Sequence, residues 1–399
     1  MNRERMAKEA RTWLEAEIIT QEQYQQILQR YPEQKTKPVL LTFAAIFIGL
    51  GFLTFIASNW DLLDNVVRLI IILVAMASFY TAGERVYTKS SNIVGNSLLV
   101  VAVLIFGSGI FLTGQMYHVS SFSALPFLIW SLAAFAVYVM FQNVIMFGLV
   151  MTIVTAGQLY SAMTYQAFYP WLGALLVLGG SYALYRHRHQ AFALIVTVSY
   201  VVQSVVWTFS ESSAYYWLIV LLLLLYAVSV WLENERVARP MRSGSVTAIA
   251  FTAVIQVFAL EDGFSAPALE DTYVFFLVWL GIMAGVLVKL WKQNRLFRGV
   301  DLFLFVPVFL LPWAGAASLM LLFLYALGWL LIGYQQENSQ RVTKGTLAFV
   351  VSTFIAYIHF AWDFLDKSVF FFVGGVLLFG ISYVLERKRR SVQRGGDER

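Results

Sequence analysis

The sequence predicts an all-α protein, a polytopic transmembrane helix bundle of about fourteen spans with a small amino-terminal helical hairpin on the cytoplasmic side. Three observations predict it. Of 399 residues, 59% are hydrophobic and 13% charged, with a mean hydropathy of +0.70, whereas an ordinary soluble domain is about half apolar and about a quarter charged. Apolar stretches of spanning length follow one another along the chain. Lys and Arg gather in alternate connections between them.

Residues 1–38 read as the cytoplasmic hairpin, 39–386 as the bundle and 387–399 as a basic cytoplasmic tail. No cleavable signal is expected ahead of the first span, because the opening residues are charged and polar. Trp13, Leu14, Ile18 and Ile19 form one apolar stripe, and Thr20 with Gln23 fits a capping box, in which hydroxyl and amide satisfy each other's backbone N–H. Tyr24, Ile27, Leu28 and Tyr31 share a face of a second short helix that stops before Pro32. A hairpin this small must dock on something. Its occupant is a cytoplasmic protein or a second copy, met by Trp13, Ile18, Tyr24 and Ile27 within residues 2–31, or else the protein's own loops.

The spans run approximately 39–58, 66–83, 92–115, 123–140, 143–162, 169–185, 190–210, 213–232, 244–260, 271–291, 300–315, 316–334, 345–364 and 367–386. The stretch 244–260 is short, and 300–315 carries Pro307 and Pro312. Charge resolves both. With a cytoplasmic amino terminus, all of the 28 Lys and Arg except Arg68 and Lys367 fall on the inner side, the bias that orients helices in bilayers. Dropping one span would invert every later loop. A single helix over 300–334 would be about 54 Å long against a hydrocarbon core of about 30 Å. The expected location is the bacterial inner membrane, multi-pass, with both termini cytoplasmic. The net charge of +5 is then loop charge, and no nucleic-acid partner is expected beside the bilayer.

Two stretches carry a family likeness. The run Trp13-Leu14-Glu15-Ala16-Glu17-Ile18-Ile19-Thr20-Gln21-Glu22-Gln23-Tyr24 precedes a first hairpin that turns at Ala57-Ser58-Asn59-Trp60-Asp61. Gly114-Gln115-Met116-Tyr117-His118 then leads to a span bearing Trp130. Together these resemble the bacterial membrane family carrying the domain of unknown function 2157, most clearly over residues 10–165. That resemblance implies a membrane protein and no particular activity. The hairpin is also similar to short helical modules with an Ile-Thr-x-Glu-x-Tyr/Phe core, which are associated with oligomerisation, although Glu17 stands where those modules have glycine.

The candidate binding residues lie at the outer ends of the spans. Asn59, Asp61, Asp64 and Arg68 crowd the first outer turn, with Asp64 and Arg68 at the i and i+4 spacing of an intrahelical ion pair. Arg68 stands about a turn inside the membrane, where a cation often marks function. Gln115, Tyr117 and His118 end the third span, Gln158 nears the end of the fifth, and His359 with Asp363 ends the thirteenth. Amides, imidazoles and carboxylates at one depth suit a site for an ion, a small molecule or a lipid head group. Each also suits a plain helix end, where backbone groups need partners. Asn96, Asn143, Gln203 and Gln256 fall within the hydrocarbon and are expected to join helices.

Enzyme signatures are missing. There is no cysteine, no phosphate loop, no His-Glu-x-x-His and no Gly-x-Ser-x-Gly, so no catalytic residue, metal site or cofactor is assigned. The leading reading is a protein that binds or moves a small molecule, ion or lipid through the outer polar site. The alternatives are a scaffold or sensor acting through the hairpin, and an enzyme on a lipid-linked substrate using Asp61 or Asp64.

Overall fold

The computed structural model describes residues 10–14, 16, 18–24, 39–58, 64–119, 121–210, 215–260 and 269–361, together with 372, 375, 376, 379 and 380. Regular structure among the described residues is helical throughout. In chain order the helices are α1 (Val39–Ser58), α2 (Asn65–Lys89), α3 (Asn92–Met116), α4 (Leu125–Phe141), α5 (Val144–Tyr165), α6 (Pro170–His187), α7 (Gln190–Ser210), α8 (Trp217–Trp231), α9 (Glu235–Ala259), α10 (Leu269–Lys292), α11 (Ala314–Gln335) and α12 (Ser339–Ala361). Between α10 and α11 lies a 3-10 segment, Leu296–Phe305. Among the described residues eight helices are long and apolar enough to cross a membrane, and Leu125–Phe141 and Trp217–Trp231 are shorter apolar helices. The all-α polytopic class therefore stands. The number fourteen remains an expectation, because most of the last expected span, 367–386, lies outside the described residues.

Local chemistry sets the helix boundaries. Asn143 was placed in the hydrocarbon by sequence, but it is the N-cap of α5, and its Oδ1 accepts from the Ile145 N–H at 2.8 Å. Asn234 caps α9 in the same way, accepting from Arg236 N–H at 3.0 Å. Gln142, Gln166 and Arg188 close α4, α5 and α6 in the left-handed region, which turns the chain back within a few residues. Near the amino terminus the capping box forms as read, with Thr20 N–H donating to Gln23 Oε1 at 2.9 Å and Gln23 N–H donating to Thr20 Oγ1 at 3.3 Å.

The chain divides into two compact units, Met1–Val119 and Ser120–Arg399. In the first, α1 and α2 both pack on α3. A Cβ at Gly95 would overlap the backbone of Tyr87, so the α2–α3 hairpin is pressed closer than any larger residue allows. Its core is Ile72, Val101, Ile105 and Met116.

In the second unit, α4 pairs with α5, α5 with α7, and α7 with α6, α8 and α9. Then α8 meets α10, and α9 meets α11, which pairs with α12. The main core gathers Tyr226, Phe275, Phe305, Phe309 and their neighbours from α8 to α11. Gly179 and Gly180 are close-packing points, against Phe135 and Val196.

Two elements differ from expectation. The helix that carries the ninth span begins nine residues ahead of it, at Glu235, because the Asn234 cap starts α9 within the basic loop. The stretch 300–315 was expected as a helix; its first part is 3-10 and residues 306–313 are irregular backbone and turns. Pro307 forces the preceding Val306 into extended backbone (φ −71°, ψ 124°), which stops the helix at Phe305. Non-helical backbone at membrane depth needs other partners. Tyr226 OH donates to Arg298 O at 3.2 Å, and Trp279 Nε1 donates to Phe305 O at 2.8 Å.

Candidate functional site

The residues expected at an outer site divide between the units. In the first, Asn65 Nδ2 donates to Met116 O at 3.2 Å and ties the start of α2 to the end of α3. Asp64, the N-cap of α2, thus shares one end of this unit with the exposed Gln115, Tyr117 and His118. Arg68 follows one turn along, its N–H donating to Asp64 O at 3.0 Å. His118 stands in the left-handed region at φ 54°, as the turn after α3 requires. Asn59 and Asp61 lie outside the described residues.

In the second unit, Gln158 is fully buried, and with its amide oriented to match, it donates to Tyr169 O at 3.2 Å and accepts from Tyr169 N–H at 2.9 Å. It therefore holds the start of α6. His359 is buried edge-on to Phe258, with ring centroids 5.8 Å apart. The two residues sit on different helix pairs. Asp363 lies outside the described residues, as does Ile27 of the hairpin. Trp13 and Ile18 are exposed, and Tyr24 is half-buried.

Sequence reasoning passed over a polar network where α8, α9, the 3-10 segment, α11 and α12 meet. Asp301 is 3% exposed. Its Oδ1 accepts from Trp329 Nε1 at 3.0 Å and from Lys344 Nζ at 3.1 Å, and Tyr226 OH reaches Oδ2 at 3.3 Å. Lys344 Nζ also lies 3.8 Å from the Trp329 ring centroid, a close cation–π contact. The available signal was that Asp301 is the lone charged residue between Arg298 and Glu337.

Beside it, Glu235 at the start of α9 pairs with Arg295 at 2.6 Å, Arg242 at 3.1 Å and Arg298 at 3.2 Å. Glu235 precedes the apolar part of its helix. Partial burial acts to raise its pKa, but the hydrogen bond and charge of Arg242, with Arg298, outweigh it and hold the carboxyl down at about 2. Arg341 stacks over Phe297 at 4.2 Å. These contacts fasten the 3-10 segment to α9 and α12.

The second unit carries an apolar concavity. A cavity of about 570 Å³ opens between α6, α7, α8 and α9, with Arg188, Glu233 and Asn234 at its basic-loop end. A second, of about 270 Å³, lies beside it between α6, α7 and α8, sharing Leu176, Val177 and Tyr200 and reaching Phe168 and Pro170 at the start of α6. Val177, Leu224, Val228 and Trp231 line the first cavity and are also exposed on the helix surfaces, so the groove opens sideways. Gln203 lines the second cavity, is 4% exposed, and neither its Oε1 nor its Nε2 has a hydrogen-bond partner. The expectation that the mid-membrane amides join helices fails here.

Fold and composition together define a multi-pass helical membrane protein. More narrowly, residues 11–147 match the family described as predicted membrane protein (DUF2157), so this part of the chain carries that domain. The match covers the described part of the first unit from residue 11 and continues into α5, ending before the groove. No curated protein and no solved structure matches the chain.

Proposed function

We propose that this protein binds a lipid-like amphiphile in the groove between α6, α7, α8 and α9, and that it does so without catalysis. The observation that carries the reading is that the two cavities share Leu176, Val177 and Tyr200 in their linings, which we read as one long apolar slot with a charged rim. A slot lined by aliphatic and aromatic side chains takes a hydrocarbon chain, and the few polar groups at its mouth orient a head group. The rim supplies one cation, Arg188, and one carboxylate, Glu233, a pairing that suits a zwitterionic head group. The sideways opening lets a chain enter from the bilayer. On the distribution of Lys and Arg, the rim faces the cytoplasm and both termini lie there, in a bacterial inner membrane.

The test is retention of a spin-labelled phosphatidylethanolamine by the purified, delipidated chain. Val177→Trp fills the slot where both cavities share it and is expected to abolish the tightly held fraction, while Val198→Trp, on an exposed face of α7 outside these two cavities, leaves it unchanged. Equal retention by the wild type and both variants would refute the reading.

A second reading, a ligand at the end of the first unit, is favoured by the Asn65–Met116 bond that sets Asp64 beside Gln115, Tyr117 and His118. Loss of a ligand-induced thermal shift in His118→Ala would support it. The hairpin is proposed to engage a cytoplasmic protein or a second copy, since Ile18 is 71% exposed beside a formed capping box. Deleting residues 2–31 and following membrane insertion and oligomer size tests that.

A further inference from the structure

We infer that Gln203 is the specificity-determining residue of the groove, and that the amphiphile it selects carries a hydroxyl or a secondary amide partway along its chain. The inference rests on the groove reading above and adds the chemical class of the ligand.

A carboxamide offers one acceptor oxygen and two N–H donors. Both ends of the Gln203 amide are buried, and neither meets a partner within the protein. Leaving such a group unpaired in an apolar surround is costly, so a slot built only for saturated chains would do better with leucine here.

The neighbouring polar groups are already committed and do not serve it. Ser204 Oγ donates to Tyr200 O at 2.8 Å, Tyr200 OH donates to Leu221 O at 3.1 Å, and Thr208 Oγ1 donates to Ser204 O at 2.9 Å. Opposite, α6 presents Gly173, where even a Cβ would stand 3.7 Å from Gln203 Oε1. A Cβ there would also press on the Phe168 ring at 2.9 Å, so the amide lies in the wall of the second cavity beside Phe168, at a point where the facing helix carries no side chain.

A ligand group that satisfies both ends must donate to Oε1 and accept from Nε2. A hydroxyl or a secondary amide does both, while an ester only accepts and a methylene does neither. Depth places that group along the chain. Gln203 follows the start of α7 by about 20 Å of helix rise. Arg188 and Glu233 mark the rim at that end. The matching group thus lies well down the chain from the head group.

The experiment compares two probes on the full-length protein in detergent. One is phosphatidylethanolamine with plain saturated chains; the other is the same lipid with one mid-chain hydroxyl per chain. Each displaces a spin-labelled phosphatidylethanolamine. The wild type is expected to bind the hydroxylated lipid about tenfold more tightly, the ratio that one well-made buried hydrogen-bonded pair supplies. Gln203→Leu is expected to bind both equally and the plain lipid no more weakly than the wild type does. Gln203→Met, closer in shape, repeats the measurement should the leucine variant fail to fold. If the wild type holds both lipids equally, or the variants keep the preference, the inference is overturned while the groove stands. If the wild type holds neither, the groove reading falls and the inference with it.

Discussion

Removing the Asp301 carboxylate should loosen the second unit by a predictable amount. Asp301→Ala strips the acceptor from Trp329 Nε1, a buried indole N–H, at a cost of about 1–3 kcal/mol. It also removes the anion facing Lys344. Breaking a fully buried pair costs about 3–5 kcal/mol, but the Lys344 side chain is 41% exposed and can turn to water, so that part is discounted. Tyr226 OH keeps Arg298 O as its second acceptor. A total of about 3 kcal/mol follows, or about 6–12 °C at the 2–4 °C per kcal/mol usual for domains of roughly this size.

The assay is the apparent midpoint of loss of the monodisperse peak on heating in detergent, at one fixed heating rate, because such unfolding is rarely reversible. The double variant Asp301→Leu with Lys344→Met removes both charges and should recover much of the loss, giving a coupling on the order of 1–2 kcal/mol. A shift below about 2 °C for Asp301→Ala, or a double variant as unstable as the sum of the singles, would refute the account of Asp301 as the anchor of the 3-10 segment.

Three further outcomes are expected. Glu235 has its folded pKa lowered from 4.5 to about 2, so its stabilising contribution is fully present above about pH 4.5 and is lost as pH falls through about 2; the difference in melting midpoint between wild type and Glu235→Gln should shrink across that window and stay constant from pH 5 to 8. Asn143→Ala removes the α5 cap and should cost about 1 kcal/mol, read by the same melting assay, whereas Asn143→Asp should cost far less. Gly95→Val should disrupt the α2–α3 hairpin, because a branched side chain would have to displace the Tyr87 backbone; protease cleavage between Lys89 and Asn92 should rise sharply, and unchanged protection would contradict the close approach.

The helices were largely legible because their cause is local. Residues such as those of 92–115 and 190–210 are apolar over a full span, and a backbone in hydrocarbon must satisfy its own hydrogen bonds, so Asn92–Met116 and Gln190–Ser210 form almost as read. The capping box at Thr20 and Gln23 was equally local. The stretch 300–315 read as one more helix because its composition is apolar; the two prolines and the side chains of Tyr226 and Trp279, distant in sequence, decided otherwise.

The candidate site was far less legible. Asp64, Gln115 and His118 do share an end of the first unit, but Gln158 proved to hold the start of α6, and the groove runs along residues such as Leu176, Val177 and Tyr200 that read as ordinary span. Sequence alone determined what most segments are: a helix, its polarity and its expected side of the membrane, all of which follow from residue type and period. Only the tertiary structure decided which segments face one another, and hence that Asp301 meets Lys344 while the Gln203 amide finds no hydrogen-bond partner. Partnership between side chains far apart in the chain depends on packing, and an apolar surface reads the same in sequence whether a helix, a lipid or an empty slot lies against it.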